Sequence, residues 1–534
     1  MNAASSHASA QADAPVAMDR AATLDRVTSE YFDLVVVGGG ATGLGVALDA
    51  VLRGLSVALL ESHDIAKGTS SRATKLVHGG VRYLAQGRIG LVRESLRERT
   101  ALLRNAPGLV RPLAFVAPSY RTWETPFHAA GLAIYDLLAG SDGLGATRVL
   151  SRRQVEARLP GVRAAGLKGG VEYWDAQFDD ARLAVTLARA AAAHGAAVLN
   201  YCPVAELVHT NGKIAGVVAN DAETGARLML RTGCVVNATG VWADSLRRLD
   251  ADALKRPVTN LIRASRGAHL VVDRSFFPSE RALLVPRTAD GRVLFVLPWL
   301  GKVLLGTTDI ASTALDFEPC PEDQEIDYIL GEASRYLQAP PARRDVRSAW
   351  AGLRPLVAPS GRRDGDQAPP IATRRISREH TIETSPSGLV SVAGGKWTTY
   401  RAMAQDVLEH CFSKGLLPAA NACTTRDFSL EDAATPSWSE FRRRHAPGSG
   451  EDDAILLEAG LNEAMVRFSA RHEFARKVED VLARRSRLLF LDAARAADVA
   501  PVVARILQSE TGVSPDLAAF VQLARQYNVA AAKG

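Results

Sequence analysis

Residues 31–61 carry the most restrictive pattern in the chain. A short, β-branched apolar run at 31–37 leads into Gly38-Gly-Gly-Ala-Thr-Gly43. A helix-forming stretch at 44–53 follows, closed by Gly54, and a second apolar run at 55–60 ends on Glu61. Apolar runs of this length read as buried parallel strands, and strand, helix and strand in this order make a βαβ unit. Gly38, Gly40 and Gly43 fill the G-x-G-x-x-G positions. The first allows a tight turn, the second lets the backbone approach a pyrophosphate, and the third lets helix and strand pack closely. The helix N-terminus then offers free N–H groups and a partial positive charge to phosphates. Glu61, about twenty residues past Gly40, is placed to accept hydrogen bonds from a ribose diol. An acid there disfavours a 2′-phosphate, hence NADP, and the unit alone leaves NAD and FAD both open.

The rest of the chain must bury a core around this unit. Its 534 residues are enough for two or three domains, and 47% hydrophobic with 23% charged residues exclude a disordered chain, a collagen-like fibre and a small disulfide scaffold. A net charge of +6 suits an anionic ligand or surface. With 6% aromatic residues and no basic stripe interleaved with them, a nucleic-acid partner is not expected. Cys202, Cys234, Cys320, Cys411 and Cys423 form no Cys-x-x-Cys pair and no zinc-like spacing with histidine. They read as buried free thiols in a reducing compartment, with no metal site. Cys234 in particular lies in an apolar strand and reads as core rather than redox-active. No apolar stretch reaches the length of a membrane span. Residues 1–30, rich in alanine and without a basic start, read as a flexible tail rather than a secretory signal.

Further along, residues 88–104 read as an arginine-rich helix. Strands are expected between 195 and 240, including one at Val198, a hairpin turning at Asp221-Ala-Glu-Thr-Gly225, and Cys234-Val-Val-Asn-Ala-Thr-Gly240. Alternation from 265 to 309 suggests antiparallel sheet, and 360–370 reads as a polar surface loop. Beyond a boundary near 425 the pattern is helical, and Ser514-Pro-Asp516 has the form of a helix start. The expected domains are a tail at 1–30, a cofactor- and substrate-binding domain at 31–424, and a helical domain at 425–534.

Several segments share a resemblance. Gly68-Thr-Ser-Ser-Arg-Ala-Thr-Lys-Leu-Val-His-Gly-Gly-Val-Arg-Tyr-Leu84 resembles the flavin-contacting loop of FAD-dependent glycerol-3-phosphate dehydrogenases. So do Asp175-Ala-Gln-Phe-Asp-Asp-Ala-Arg182, Gly306-Thr-Thr-Asp309, Ala351-Gly-Leu-Arg-Pro-Leu356 and Gly394-Gly-Lys-Trp-Thr-Thr-Tyr-Arg401. The resemblance covers residues 31–400 and continues at Val478-Glu-Asp-Val-Leu-Ala-Arg-Arg-Ser-Arg487. It implies an α/β protein with a D-amino-acid-oxidase-like, Rossmann-type FAD-binding fold, a mixed or antiparallel-sheet substrate part and a C-terminal all-α domain. The implied activity is oxidation of glycerol 3-phosphate with non-covalent FAD, electrons passing to a membrane quinone.

By the same resemblance, Arg82, Tyr83, Arg354, Arg378 (with Arg374 and Arg375 close by) and Lys396 are expected to hold the substrate. A phosphate dianion needs such a cluster of cations. His269 and His78 are the two histidines in motif context that could take the hydroxyl proton. Either could instead bond the flavin or pack structurally. Arg354 is also expected to stabilise charge on the C2 oxygen. The expected FAD contacts are Gly38, Gly40, Gly43, Glu61, Thr69, Ser70, Ser71, His78, Gly240, Gly395 and Thr398.

The resemblance further implies a cytoplasmic, homodimeric enzyme attached peripherally to the inner face of the cytoplasmic membrane, where the quinone lies. Residues 88–104 and 484–491 combine basic and apolar side chains and could dock on anionic lipid. An ordinary amphipathic helix facing the core is the favoured account of each, so membrane association rests on the resemblance. Two alternatives stand beside the dehydrogenase. One is a flavin oxidase of glycerol phosphate, hydroxy acids or amino acids using O₂. The other is a non-catalytic flavoprotein.

Overall fold

A computed structural model describes residues 19–84, 87–288, 291–358, 379–433, 441 and 451–530. Among them the strands form three sheets. The first runs His380–Thr384, Val390–Gly394, Val235–Asn237, Leu34–Val37, Val57–Leu60, Ala197–Leu199, with the leading edge strand antiparallel and the remainder parallel. All four residues of Leu34–Val37 are buried, as are all four of Val57–Leu60. Their placement in the middle of a parallel sheet covered on both faces explains the unbroken apolar runs.

Helix α1 (Arg20–Ser29) lies inside the stretch read as a flexible tail. The Asp19 side chain caps it, and Arg20 reaches Asp221 at 2.6 Å and the Asn200 carbonyl at 2.9 Å. Its partners lie about 180 or more residues away, which local pattern does not reveal. Helix α2 (Ala41–Leu52) is the helix of the βαβ unit. At Gly43 a β-carbon would come within 1.9 Å of the Gly38 carbonyl oxygen, so close packing here requires glycine. Gly38 itself has φ +111°, a conformation that side chains disfavour.

Helix α3 (Ile89–Asn105) is the expected arginine-rich helix, but its apolar side is not free for lipid. Leu91, Val92 and Leu96 are buried, and Arg99 is itself buried against Asp175 at 2.8 Å. Cutting one partner out of such a pair costs about 3–5 kcal/mol. The stretch 484–491 is likewise withdrawn from the surface: Arg484, Arg485 and Arg487 are all buried in ion pairs. The lipid expectation for both stretches is therefore corrected. Helix α4 (Glu124–Ala139) has the opposite character, with Phe127, Ile134 and Leu137 exposed.

The second sheet is large and mixed. Near one end of it the strand Ile262–Asp273 pairs antiparallel with Val346–Val357 on one side and Lys302–Gly306 on the other. The third sheet contains the expected hairpin, Lys213–Asn220 with Arg227–Thr232. Beyond Gly394 the described chain contains helices but no strand. The first α-helix among them, Tyr400–Ser413, packs on the parallel sheet, whereas later ones share a core with the mixed sheet, in which Leu482, Phe490, Val503 and Tyr527 pack with Leu304 and Trp350. The last helix, Leu517–Tyr527, starts later than the Ser514-Pro515 signal implies. Asp516 adopts a left-handed φ of 54°, and the Pro515 carbonyl accepts from Val478 N. Tertiary pairing of that carbonyl displaces the start. The loop at 360–370 lies outside the described residues.

Candidate active site

One cavity of about 520 Å³ opens at the carboxyl ends of the parallel strands, where Val37, Leu60 and Ala238 end and Gly38, Glu61 and Thr239 begin its wall. This is where open α/β sheets bind ligands. Gly38, Gly40, Ala41 and Thr42 line it at the start of α2. Ser70 Oγ accepts from Ala41 N at 2.9 Å, fastening the loop that follows Glu61 to the helix N-terminus. Glu61 accepts from Gly39 N (2.7 Å), His63 N (2.9 Å) and Ser62 Oγ (3.1 Å). Burial pushes its carboxyl above the usual range despite these three bonds.

Of the expected cofactor residues, Gly38, Gly40, Glu61, Thr69, Ser70, His78, Gly240, Gly395 and Thr398 all line this cavity. Gly43 does not, because its part is helix packing. Ser71 does not line it either. Its side chain is fully buried, and its carbonyl accepts from Lys75 Nζ and Arg487 Nη2, both at 2.8 Å. The backbone thus bends the Ser71 side chain behind the wall that Thr69 and Ser70 form. A glycine cradle, a polar wall and a buried acid at the end of the second strand match the adenosine diphosphate half of FAD. The aromatic and cationic wall around Tyr83, Trp397 and Lys396 leaves room for its ring.

His269, Arg354, Tyr83 and Lys396 converge on the same cavity. His269 sits mid-strand, between Gly306 on one neighbouring strand and Trp350 on the other. Its ring stacks on Trp350 at 4.2 Å and 19°, and Nε2 lies 3.0 Å from Thr74 Oγ1. Burial, with the Arg354 and Lys75 cations close by, holds the imidazole well below its ordinary pKa. It is neutral at physiological pH and able to accept a proton. Arg354 is held by Thr307 Oγ1 (3.0 Å) and the Thr308 carbonyl (3.1 Å), with Asp309 at 3.7 Å. The absence of a side chain at Gly267 makes room for it, since a β-carbon there would meet its guanidinium at 2.2 Å. Lys396 Nζ stands 4.3 Å over the Tyr83 ring and donates to Ser95 Oγ at 3.1 Å. His78 reaches the site differently: its backbone N donates to Thr398 Oγ1 at 3.2 Å.

Arg82 lies in the short helix Val81–Leu84, with its side chain outside the described residues, as is the whole of Arg378 together with Arg374 and Arg375. Sequence reasoning missed several wall residues: Arg72, Thr74, Trp242, Phe317 and Trp397. Arg72, Thr74 and Trp397 lie inside motifs already singled out, whereas Trp242 and Phe317, stacked on each other at 4.2 Å, come from turns without a signature. Among the described residues no group of three or more His, Cys, Asp or Glu could hold a metal ion. Cys202, Cys234 and Cys411 are buried free thiols, whereas Cys320 is exposed and Cys423 half-buried, so the expectation of buried thiols is corrected at those two.

Comparison with known proteins places this geometry. Residues 33–401 match the family model "FAD dependent oxidoreductase", and residues 444–517 match "C-terminal domain of alpha-glycerophosphate oxidase". The chain is 39% identical over 457 residues to the mitochondrial glycerol-3-phosphate dehydrogenase of Saccharomyces cerevisiae, covering 80% of this chain and 70% of that one. It is 36% identical over 529 residues to the human mitochondrial enzyme of the same name, covering 90% and 71%. The crystal structure of glycerol-3-phosphate dehydrogenase from Bacillus halodurans, complexed with FAD, superposes with a TM-score of 0.74 at 28% identity, over 95% of this chain and 97% of that one. The cradle, the cation-lined cavity and these likenesses agree: the chain belongs to the family of FAD-dependent glycerol-3-phosphate dehydrogenases.

Proposed function

We propose that the chain oxidises sn-glycerol 3-phosphate to dihydroxyacetone phosphate at the His269–Arg354 end of the cavity and delivers the electrons to a quinone at an anionic membrane surface. The observation that carries the first part is the meeting, in the cavity that contains the glycine cradle, of a buried imidazole stacked on Trp350 and a guanidinium anchored by Thr307 and Thr308. Arg354 and Lys396, with Arg82 and Arg378 by resemblance, bind the phosphate dianion and the substrate oxygens. His269 takes the proton of the C2 hydroxyl, while Thr74 and Trp350 fix its ring plane. Arg354, which lines the same cavity as His269, lowers the energy of the C2 oxygen as negative charge develops on it. FAD, when bound, accepts the C2 hydride. The two hydrogens lost by the substrate are thus accounted for, one as a proton on His269 and one as the hydride. Anaerobic mixing of the FAD-loaded enzyme with glycerol 3-phosphate, glycerol and 2-hydroxy acids tests the assignment. Flavin bleaching by the phosphate ester alone supports it. Bleaching by the hydroxy acids but not the ester refutes it, and peroxide release in air identifies an oxidase.

No helix among the described residues is long and apolar enough to cross a membrane. Helix α4 supports peripheral attachment instead. Trp123, Phe127, Ile134 and Leu137 are 56, 68, 50 and 79% exposed, and they recur at helical spacing along one face. Val149 on the neighbouring strand extends the patch at 62% exposed. Arg121, Arg148, Arg152 and Arg153 are exposed around it, whereas the acids of the segment 121–153 are not. An apolar face with exposed arginines at its rim, one of them (Arg152) paired with Glu156, matches an anionic lipid surface.

A further inference from the structure

The motif at 478–487 is a stretch of the family resemblance that the reaction leaves without a task. Its side chains do not point to solvent or into the cavity. They point at the back of the loop that carries Glu61, Thr69 and Ser70. Arg484 is paired with Asp64, and Arg485 Nη2 donates to Asp64 Oδ1 at 2.8 Å. Glu479 accepts from Lys67 Nζ at 2.5 Å. Arg487 donates to the Ser71 carbonyl at 2.8 Å and pairs with Asp180 at 3.2 Å, while Asp180 also accepts from Ala73 N at 2.9 Å. From the last helix, Tyr527 Oη accepts from Arg72 at 2.5 Å. Asp64, Lys67, Ser71 and Arg72 are all gripped within nine residues, more than four hundred positions from their partners. Asp64, Lys67, Ser71, Arg72, Arg484, Arg485 and Arg487 are all buried. Residues 480–485 form a single π-helical turn, a local geometry that recurs at functional sites.

We propose that the Glu479–Arg487 segment of the C-terminal domain is a latch that holds the 61–72 loop in its FAD-retaining shape, with Arg487 as its positioning residue. The proposal rests on the cofactor being FAD. It assigns the helical domain a task in cofactor retention, distinct from substrate binding. Toward the sheet domain the loop is held mainly by its two ends and its backbone: Glu61 accepts from Gly39 N, Ala66 N donates to the Gly39 carbonyl, Tyr201 N donates to the His63 carbonyl, Ser70 Oγ accepts from Ala41 N, and Lys67 and Arg72 pair with Glu318. From behind, the C-terminal segment adds buried, charge-assisted contacts at Asp64, Lys67 and Ser71, the stronger kind of hydrogen bond.

The test dilutes FAD-loaded full-length enzyme and follows flavin release by fluorescence, for the parent and for Arg487→Met, Arg487→Lys, Glu479→Gln, Tyr527→Phe and Arg471→Ala. Arg471 pairs with Glu510 inside the helical domain and does not touch the loop, so Arg471→Ala is the control. Arg487→Met is expected to raise the FAD dissociation constant by about tenfold or more, Arg487→Lys to recover part of the loss, and the other two latch variants to raise it by about threefold each. If Arg487→Met yields no folded protein, Glu479→Gln and Tyr527→Phe decide. Latch variants that keep the parent dissociation constant overturn the proposal, and so does an Arg471→Ala protein that loses FAD to the same extent. A folded parent that takes up no FAD removes the cofactor premise itself.

Discussion

Gly306→Ala is the substitution that most directly tests how the base is held. A β-carbon at position 306 would stand 2.5 Å from His269 Cδ2 and 3.2 Å from Cγ. Ordinary carbon contacts lie at about 3.5–4.0 Å, so the ring must retreat by about 1 Å. Retreat is blocked on the far side by Trp350, stacked at 4.2 Å. The ring must therefore rotate or slide, and the 3.0 Å contact with Thr74 is lost. Overpacking of this kind costs about 1–3 kcal/mol of stability, and a misplacement of about 1 Å at a reacting group costs about a hundredfold in rate. Gly306 does not line the cavity, so FAD content should stay at the parent level. The assay is anaerobic stopped-flow reduction of the flavin by glycerol 3-phosphate, with a thermal melt of the same sample. Gly331→Ala serves as control, because a β-carbon there meets no neighbour within 4 Å. A Gly306→Ala enzyme that holds FAD and reduces it within about threefold of the parent would refute the claim that His269 is fixed by its strand neighbours.

Other expectations follow from the same geometry. The acid limb of kcat/KM should fall well below pH 6.5, because burial, aided by Arg354 and Lys75, keeps His269 neutral down to low pH; a limb at the free-histidine value of about 6.5 would exclude it as the base. His269→Gln should lower kcat by at least about a hundredfold with FAD retained, and near-parent turnover would remove it from that role. Arg354→Met should raise KM for glycerol 3-phosphate and lower kcat together, whereas Arg354→Lys recovers part of the binding, as read from steady-state kinetics. The parent should sediment with anionic vesicles at low salt and be released at high salt, and Phe127→Glu with Leu137→Glu should abolish sedimentation while flavin reduction in solution is unchanged.

The cofactor half of the site was legible because its chemistry is local. Gly38, Gly40, Gly43 and Glu61 act through turn geometry and spacing that a single βαβ unit fixes. His269 and Arg354 were legible only through motif context. What makes them a pair is strand register, with Ser265 opposite Arg354 and Trp350 opposite His269 across some eighty residues of chain. The arginines at 484, 485 and 487 misled for a physical reason. Three cations beside a Leu-Leu-Phe-Leu run look like a lipid-facing patch, and the partners that withdraw them, Asp64 and Asp180, lie hundreds of residues upstream. Helix α4 had a signal that went unused. The residues between Trp123 and Ala139 are apolar on both faces of the helix, more than one core can cover. Arg20 shows the opposite limit, since nothing near it in sequence announces a buried carboxylate at position 221.

The imidazole of His269 is mounted on the middle of a strand, not on a loop. Its coordinates are inherited from backbone ladders on either side, with Gly306 and Trp350 as the flanking rungs. Surface segments can therefore lengthen, shorten or drift while this imidazole keeps its place. A bound substrate must be arranged around this fixed point.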